Sequence, residues 1–353
     1  MSTMQASNAK QQTLAVLGAG AWGTALAVHL ARKGHRVHLW DHQAARAERL
    51  AQARENQRYL PGVMFPDSLT AHGDLSEVLP QAEGVLVVVP SHAFRAVLKT
   101  LSTQLAPSVP VAWATKGFEP ETCLLLHQVA ADELGDTTPQ TVVSGPTFAS
   151  EVAKGLPTAM VAASSDLEMA KFWADAFHNE QFRMYTQQDM AGVEIGGAYK
   201  NIMAIATGLS DGLSLGANAR AALISRGMVE MMRLANALGG HQETMMGLSG
   251  LGDLVLTCTD DQSRNRRYGM ALAQSQAAGS EDAAARSQRI LQSIGQVVEG
   301  IKAAEAVKHI AQRHQLELPI MAEVWSVIHN RKSVEAAAQA LMARSGKSEL
   351  EFF

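Results

Sequence analysis

Cysteine is nearly missing from this chain: Cys123 and Cys258 are the only two in 353 residues, far apart and without zinc-like spacing. Neither a disulfide framework nor a structural zinc site is expected. Twelve histidines are present, but none has metal-ligand spacing, so no metal is assigned. Also lacking is any apolar run of about 20 residues, the length needed to span a bilayer. The first twelve residues are polar and hold no apolar stretch of the kind a secretory signal needs. Charge of neither sign dominates: 30 Lys+Arg against 34 Asp+Glu give a net charge of -4. No global field therefore draws the protein to nucleic acid or to an anionic membrane, and any anion site must be local. No internal repeat or heptad array occurs. The expectation is a soluble cytoplasmic protein.

What is present points to two domains. A chain that is 47% hydrophobic and 18% charged can bury a large core. From Thr13 to Asp189, short β-rich runs alternate with helical stretches, the α/β pattern of a parallel sheet covered by helices on both faces. Expected strands are 13–17, 36–40, 84–89, 109–114, 141–143 and 158–162; their nearly unbroken apolar runs suit strands buried on both faces. From 190 to 344, Ala, Met, Leu and Gly dominate and β-branched runs vanish, so an all-α C-terminal domain is expected. The stretch Gln274 to Gln288 reads as a loop or loosely held surface helix, and 1–12 and 345–353 as loose tails.

Gly18, Gly20 and Gly23 stand where the run Thr13 to Leu17 ends and the helix-forming run from Thr24 begins. At a strand-to-helix turn, the first glycine permits the tight turn, the second lets a pyrophosphate approach the backbone, and the third lets helix and sheet pack. The next strand, Arg36 to Trp40, ends at an acid, Asp41. Together these features predict a Rossmann-type, doubly wound dinucleotide-binding domain over 13–189.

In such a sheet, ligands bind beyond the carboxyl ends of the strands. Three further strand ends are unusual: Pro90-Ser91-His92, Thr115-Lys116-Gly117, and Ser144-Gly145-Pro146-Thr147-Phe148. Lys116 reads either as a ligand contact or as a solvated loop lysine, and Gly145 with Thr147 either as a strand terminator or as a holder of a polar substrate group. Lys200 is the only formal charge between Ile195 and Ser210, with Gly196 and Gly197 on its helix face leaving room for close approach. There it is either partly desolvated, with a lowered pKa suited to proton exchange, or a snorkelling lysine whose head reaches water. Asp253 follows the glycines of 247–252. It either caps the next helix or ion-pairs with a lysine. Arg264 beside Asn265 offers a guanidinium fork and an amide to a phosphate monoester; the alternative is a solvated basic patch of three arginines.

Taken in order, Gly18 to Ala27, Trp113 to Gly117, Ser144 to Ala149, Lys200-Asn201, Gly250 to Leu254 with Thr257 to Thr259, Ser263 to Arg266, and Val297 to Gly300 resemble the bacterial NAD(P)-dependent sn-glycerol-3-phosphate dehydrogenase family. The resemblance spans about Leu14 to Met321, across both domains. It implies an oxidoreductase that interconverts dihydroxyacetone phosphate and sn-glycerol 3-phosphate and so supplies glycerophospholipid synthesis. By the same resemblance Lys200 is the proton acceptor. Lys116, Gly145, Thr147, Asp253, Ser263, Arg264 and Asn265 contact the glycerol phosphate. Besides Gly18, Gly20 and Gly23 of the turn, Ala21, Trp22, His42, Ala149, Val297 and Glu299 touch the dinucleotide, with Lys116 and Arg264 near both ligands. Lys116 would polarise the substrate oxygen and Asp253 would tune Lys200. The resemblance implies a homodimer; from the acidic balance, the short basic cluster and the lack of a bilayer-spanning run, no nucleic-acid or membrane partner is expected.

Two departures stand out. Asp41 ordinarily favours NAD(H), whereas a cationic His42 favours the 2′-phosphate of NADP(H), leaving the cofactor choice open. The stretch 270–294 is longer than the family leads one to expect. Rivals are a two-domain dehydrogenase acting on a 3-hydroxy acid or sugar acid, and a nucleotide sensor that has lost turnover.

Overall fold

The computed structural model describes residues 11–135, 137–277 and 283–345. Ten strands are present among the described residues: β1 (Thr13–Leu17), β2 (Arg36–Trp40), β3 (Glu55–Asn56), β4 (Leu60–Met64), β5 (Leu69–His72), β6 (Gly84–Val87), β7 (Val111–Trp113), β8 (Gln140–Ser144), β9 (Thr158–Ala163) and β10 (Phe182–Gln187). Eight form one sheet in the order β10-β9-β8-β7-β6-β1-β2-β5, while β3 and β4 make a small antiparallel pair. β1 pairs in parallel with both β2 and β6, as do β2 with β5, β6 with β7, β7 with β8, and β9 with β10. The strand order reverses at β1, which makes the ends of β1 and β6 the topological switch point of the sheet. Helices α1 (Ala21–Arg32), α2 (Ala44–Ala53), α3 (Ser91–Gln104), α4 (Leu126–Leu134), α5 (Ala149–Lys154) and α6 (Leu167–Phe177) alternate with the strands.

Beyond β10 the chain is helical: α7 (Met190–Gly212), α8 (Gly216–Ala237), α9 (Gln242–Met245), α10 (Asp253–Thr259), α11 (Arg264–Ala277), α12 (Ala283–Ile294), α13 (Glu299–His314), α14 (Pro319–Ile328) and α15 (Val334–Met342). The fold is therefore the α/β sheet followed by an all-α region that the sequence predicts.

By contacts the chain divides into a sheet unit of 1–115, 130–143 and 147–188 and a helical unit of 116–129, 144–146 and 189–353. The helical unit thus takes in two short pieces, 116–129 and 144–146, that lie inside the stretch read from sequence as the first domain. In the sheet unit Leu14, Val16, Leu26, Leu39, Leu86 and Trp173 are buried in one apolar cluster. Its strands carry apolar residues toward both faces because helices cover both.

The helical unit is built around α7. Twenty of its residues, Ala191 to Ser210, are buried, so no face of this helix is left to water. Small residues permit this: a Cβ on Gly196 would lie 2.2 Å from the carbonyl oxygen of Ser249, so the neighbouring backbone is packed against the glycine itself. Asp189 caps the helix by accepting the Gly192 N–H at 2.8 Å. A buried carboxylate, Glu230 of α8, ties three helices together: it accepts from the Tyr199 hydroxyl at 2.5 Å and from the backbone N–H groups of Ile320 and Met321 at 2.6 and 3.1 Å.

Three sequence expectations need correction. β5 and β10 were not foreseen, and they are the two edge strands of the sheet. The stretch Gln274 to Gln288 is not a loop where it is described: 274–277 end α11 and 283–288 begin α12. Ser287 of α12 is joined to Tyr268 of α11 hydroxyl to hydroxyl at 2.9 Å, and residues 278–282 lie outside the described residues. Of the expected loose tails, Gln12 is held by the sheet unit, its carbonyl accepting the Arg36 N–H at 2.9 Å; residues 1–10 and 346–353 lie outside the described residues.

Candidate active site

In the sheet unit, the turn after β1 is shaped by its glycines. Gly18 has a φ of +119°, a region unfavourable to L side chains, and a Cβ there would meet the Val88 carbonyl oxygen at 2.5 Å. A Cβ on Gly23 would meet the Gly18 carbonyl oxygen at 1.9 Å, so helix and turn touch backbone to backbone. Gly20 differs from both, since nothing lies within 4 Å of where its Cβ would be. It is also the N-cap of α1, with no side-chain cap and no acid in the first turn. The first N–H groups of α1 thus keep their capacity for an anion. Buried Asn56 braces the turn, its amide donating to the Ala19 carbonyl at 3.0 Å and the Thr24 hydroxyl at 2.8 Å. The buried Trp22 Nε1 finds no hydrogen-bond partner among the described residues. An open cradle, uncapped amides and an orphaned indole donor fit a dinucleotide pyrophosphate. Ala21, Thr147 and Ala149 are half-buried in the same unit, and His42 is exposed at the end of β2.

In the helical unit, one carboxylate gathers two lysines. Asp253, the first residue of α10, is 1% exposed; its Oδ2 accepts from Lys116 Nζ at 2.6 Å and its Oδ1 accepts a short hydrogen bond from Lys200 Nζ. Thr257, one turn further along α10, donates to the Asp253 carbonyl at 2.6 Å and reaches Oδ1 at 3.3 Å. The room beside Gly197 is filled from this cluster: a Cβ there would lie 3.2 Å from Ser144 Oγ and 3.6 Å from the Lys116 side chain. Gly145 is buried nearby, its carbonyl oxygen 3.5 Å from Lys116 Nζ.

The alternatives left open for Asp253 and Lys200 are decided. Gly252 is the N-cap of α10, and the carboxylate of Asp253, in the first turn, pairs with the two lysines. Lys200 is 6% exposed, so it does not snorkel. Burial lowers its pKa from 10.5 to about 8; Asp253 opposes the shift and the Lys116 ammonium adds to it.

A second group surrounds the start of α11. Ser263 is buried, its hydroxyl accepting the Arg266 N–H at 3.3 Å. Asn265 bridges two elements: its amide nitrogen donates to Asn201 Oδ1 at 2.8 Å, and its oxygen accepts the Gly300 N–H at 2.9 Å at the start of α13. That leaves it one N–H and one lone pair. Asn201 also reaches Glu299 Oε2 at 3.4 Å. Arg264 is half-buried and donates to Gln296 Oε1 at 3.0 Å, while Val297 is 45% exposed.

The three arginines do not form a solvated patch. Arg266 is buried and paired with Asp211 at 2.7 Å and with Asp261, leaving Arg264 half-buried and Arg267 exposed. The residues that sequence reasoning left out of the site are Asn201, Thr257, Ser144 and Asn56. Asn201 adjoins Lys200, Thr257 follows Asp253 by four positions and Ser144 opens the strand end that holds Gly145 and Thr147, which were available signals; Asn56 had none. Among the described residues no group of three or more His, Cys, Asp or Glu could hold a metal ion.

The switch point of the sheet and the open glycine turn define a dinucleotide-binding protein. Comparison with known proteins gives the family. Residues 13–170 match the NAD-dependent glycerol-3-phosphate dehydrogenase N-terminus and residues 189–339 match its C-terminus, so the chain belongs to this family. It is 61% identical over 346 residues to a Hydrogenovibrio crunogenus protein named glycerol-3-phosphate dehydrogenase (NAD(P)+), covering 97% of this chain and 98% of the relative. A protein of the same name from Xanthomonas campestris pv. campestris is 50% identical, over 96% of each chain. The crystal structure of glycerol-3-phosphate dehydrogenase (gpsA) from Coxiella burnetii superposes with a TM-score of 0.89 at 45% identity, covering 95% of this chain and 99% of that one.

Proposed function

We propose that Lys200 is the acid–base group with which this chain catalyses its reaction, the NAD(P)-dependent interconversion of dihydroxyacetone phosphate and sn-glycerol 3-phosphate. The activity follows from the family and from the names of its relatives. The observation carrying the role of Lys200 is its burial on a carboxylate that is shared with a second ammonium.

When bound, the nicotinamide supplies or accepts the hydride at C4. The chain's own residues handle the proton and the orientation. In oxidation, neutral Lys200 takes the proton of the C2 hydroxyl as the C2 hydride leaves; in reduction, its ammonium returns that proton to the carbonyl oxygen. Lys116 polarises the same oxygen. Asp253 holds both nitrogens, and Thr257 fixes Asp253. Far from the reacting carbon, Ser263, Arg264 and the remaining N–H of Asn265 bind the phosphate, and Gly145 and Thr147 complete the substrate contacts. Binding energy at the phosphate fixes the reacting carbon. The glycine turn with Ala21, Trp22, His42 and Ala149, together with Val297 and Glu299, holds the dinucleotide.

A positioned acid or base contributes about 10²–10⁴-fold in rate. Lys200→Ala is therefore expected to lose roughly that factor in turnover, followed by NAD(P)H absorbance with dihydroxyacetone phosphate, while keeping its fold by circular dichroism. Near-normal turnover in the folded variant removes Lys200 from the chemistry. With a pKa near 8, reduction by the parent should decline above about pH 8, where the proton to be donated is lost, and oxidation should decline below it.

The reading includes a cytoplasmic enzyme and, from the resemblance alone, a homodimer. The free thiols of Cys123 and Cys258 support a reducing location; among the described residues no helix is long and apolar enough to cross a membrane.

A further inference from the structure

We propose that Arg46 is the specificity-determining residue for the adenine ribose, allowing the end of β2 to take a 2′-phosphate as well as a free 2′-hydroxyl. The inference rests on the dinucleotide reading of the neighbouring glycine turn. In this fold, an acid at the end of the second strand ordinarily accepts hydrogen bonds from the ribose hydroxyls and repels a 2′-phosphate. Asp41 occupies that place but is withdrawn from the task. Its side chain is 1% exposed, its Oδ1 accepts the Gln43 N–H at 2.9 Å, and its Oδ2 accepts from Arg46 Nε at 2.6 Å and from Arg46 Nη2. The carboxylate is satisfied and its charge is cancelled from within the protein.

Arg46 comes from the first turn of α2 and is only 14% exposed, so its guanidinium is held rather than waving in solvent. Tyr59 holds it on another side: Arg46 Nη1 lies 3.5 Å from the phenolic oxygen, and the guanidinium carbon lies 5.5 Å from the ring centroid. Arg58 covers the same ring at 5.0 Å, and the exposed His42 ring nitrogen lies 3.7 Å from Asp41 Oδ1. One guanidinium, Arg46, thus stands against the sequestered carboxylate, and a second, Arg58, stands against the Tyr59 ring that Arg46 also meets. A guanidinium has five N–H donors in a fork that matches phosphate oxygens, and the contacts with Asp41 and Tyr59 do not use them all. A 2′-phosphate gains charge-assisted hydrogen bonds there, whereas a 2′-hydroxyl meets no unpaired charge and incurs no comparable penalty.

The test is calorimetric titration of the full chain with 2′,5′-ADP and with 5′-ADP, two fragments that report on the adenosine end without turnover. The parent should bind both. Arg46→Ala should weaken 2′,5′-ADP by about 30-fold or more, since it removes a charged donor and uncovers Asp41, while changing 5′-ADP by less than about 3-fold. Because that variant leaves Asp41 unpaired and could unfold the strand end, the double variant Asp41→Asn/Arg46→Gln removes both charges in similar shapes. It should keep 5′-ADP binding and lose a smaller factor, about 10-fold, for 2′,5′-ADP. Equal losses for the two nucleotides, or no loss for either, overturn the proposal and leave Arg46 a structural partner of Asp41. A parent that binds 5′-ADP but not 2′,5′-ADP overturns it while leaving the dinucleotide reading intact; a parent that binds neither overturns both.

Discussion

Two glycine-rich turns each lead into a helix, one at Gly18 to Gly23 before α1 and one at Gly247 to Gly252 before α10, and they are used in opposite ways. The first is open: its middle glycine has empty space in front of it, and the amides of α1 are left without a side-chain cap. The second is closed. It winds as a π-helical turn over Leu248–Gly252, with the Gly252 N–H on the Gly247 carbonyl at 3.1 Å, and a Cβ on Gly250 would meet the Met245 carbonyl oxygen at 2.0 Å. A helix N-terminus favours negative charge. The first turn leaves that charge to a ligand, whereas the second supplies its own in Asp253 and then shares it with Lys116 and Lys200. Glycine content alone therefore says little; what matters is whether the missing side chains leave a vacancy or a backbone contact.

The sharpest way to break this contrast is at the charge the second turn carries. Asp253→Asn leaves two lysines without their shared counter-charge, and turnover should fall on the order of 10²–10³-fold. Asp253 raises the pKa of Lys200 against the effect of burial. Its loss should lower that pKa further and move the pH midpoint of glycerol 3-phosphate oxidation below about 8, a shift that mere structural damage does not produce. An unmoved midpoint would separate Asp253 from Lys200. The glycines themselves come next. Gly20→Ala should leave the melting temperature of the ligand-free protein nearly unchanged while weakening NADH about 10-fold, because the new methyl fills only the vacancy where the pyrophosphate approaches. Gly250→Ala should do the reverse, costing about 1–3 kcal/mol of stability by overpacking. If both variants act alike, the open and closed description fails. The smallest expected effect is at Arg264: its alanine variant should raise KM for dihydroxyacetone phosphate roughly 10-fold, with a lesser change in kcat. An unchanged KM would remove Arg264 from the phosphate.

Much of the sheet was legible because buried parallel strands write themselves as unbroken apolar runs, as in Gly84–Val87 and Thr158–Ala163. The edges were not. β5, Leu-Thr-Ala-His, is short and half polar, and β10, Phe182–Gln187, buries little beyond Phe182; an edge strand needs only one neighbour, so its sequence carries little of the signal. Lys200 was visible as a lone charge in an apolar helix, yet burial and snorkelling give the same local pattern. Arg266 shows the opposite failure: it reads as one of a solvated trio, but distant Asp211 draws it inside.

The sequence by itself determined the glycine turn, the strand and helix texture on either side of Met190, and the family, since each of these is written in local periodicity or in the order of short motifs. Tertiary structure alone decided that Asp253 is shared between two lysines, that Asp41 is paired with Arg46, and that Gly20 faces space while Gly250 faces backbone. The reason is the range of the interactions involved. Propensity and hydrophobic spacing act within a few residues, whereas the state of a charge is set by whatever the fold brings within a few ångströms of it, and here those partners come from as far as 137 residues along the chain.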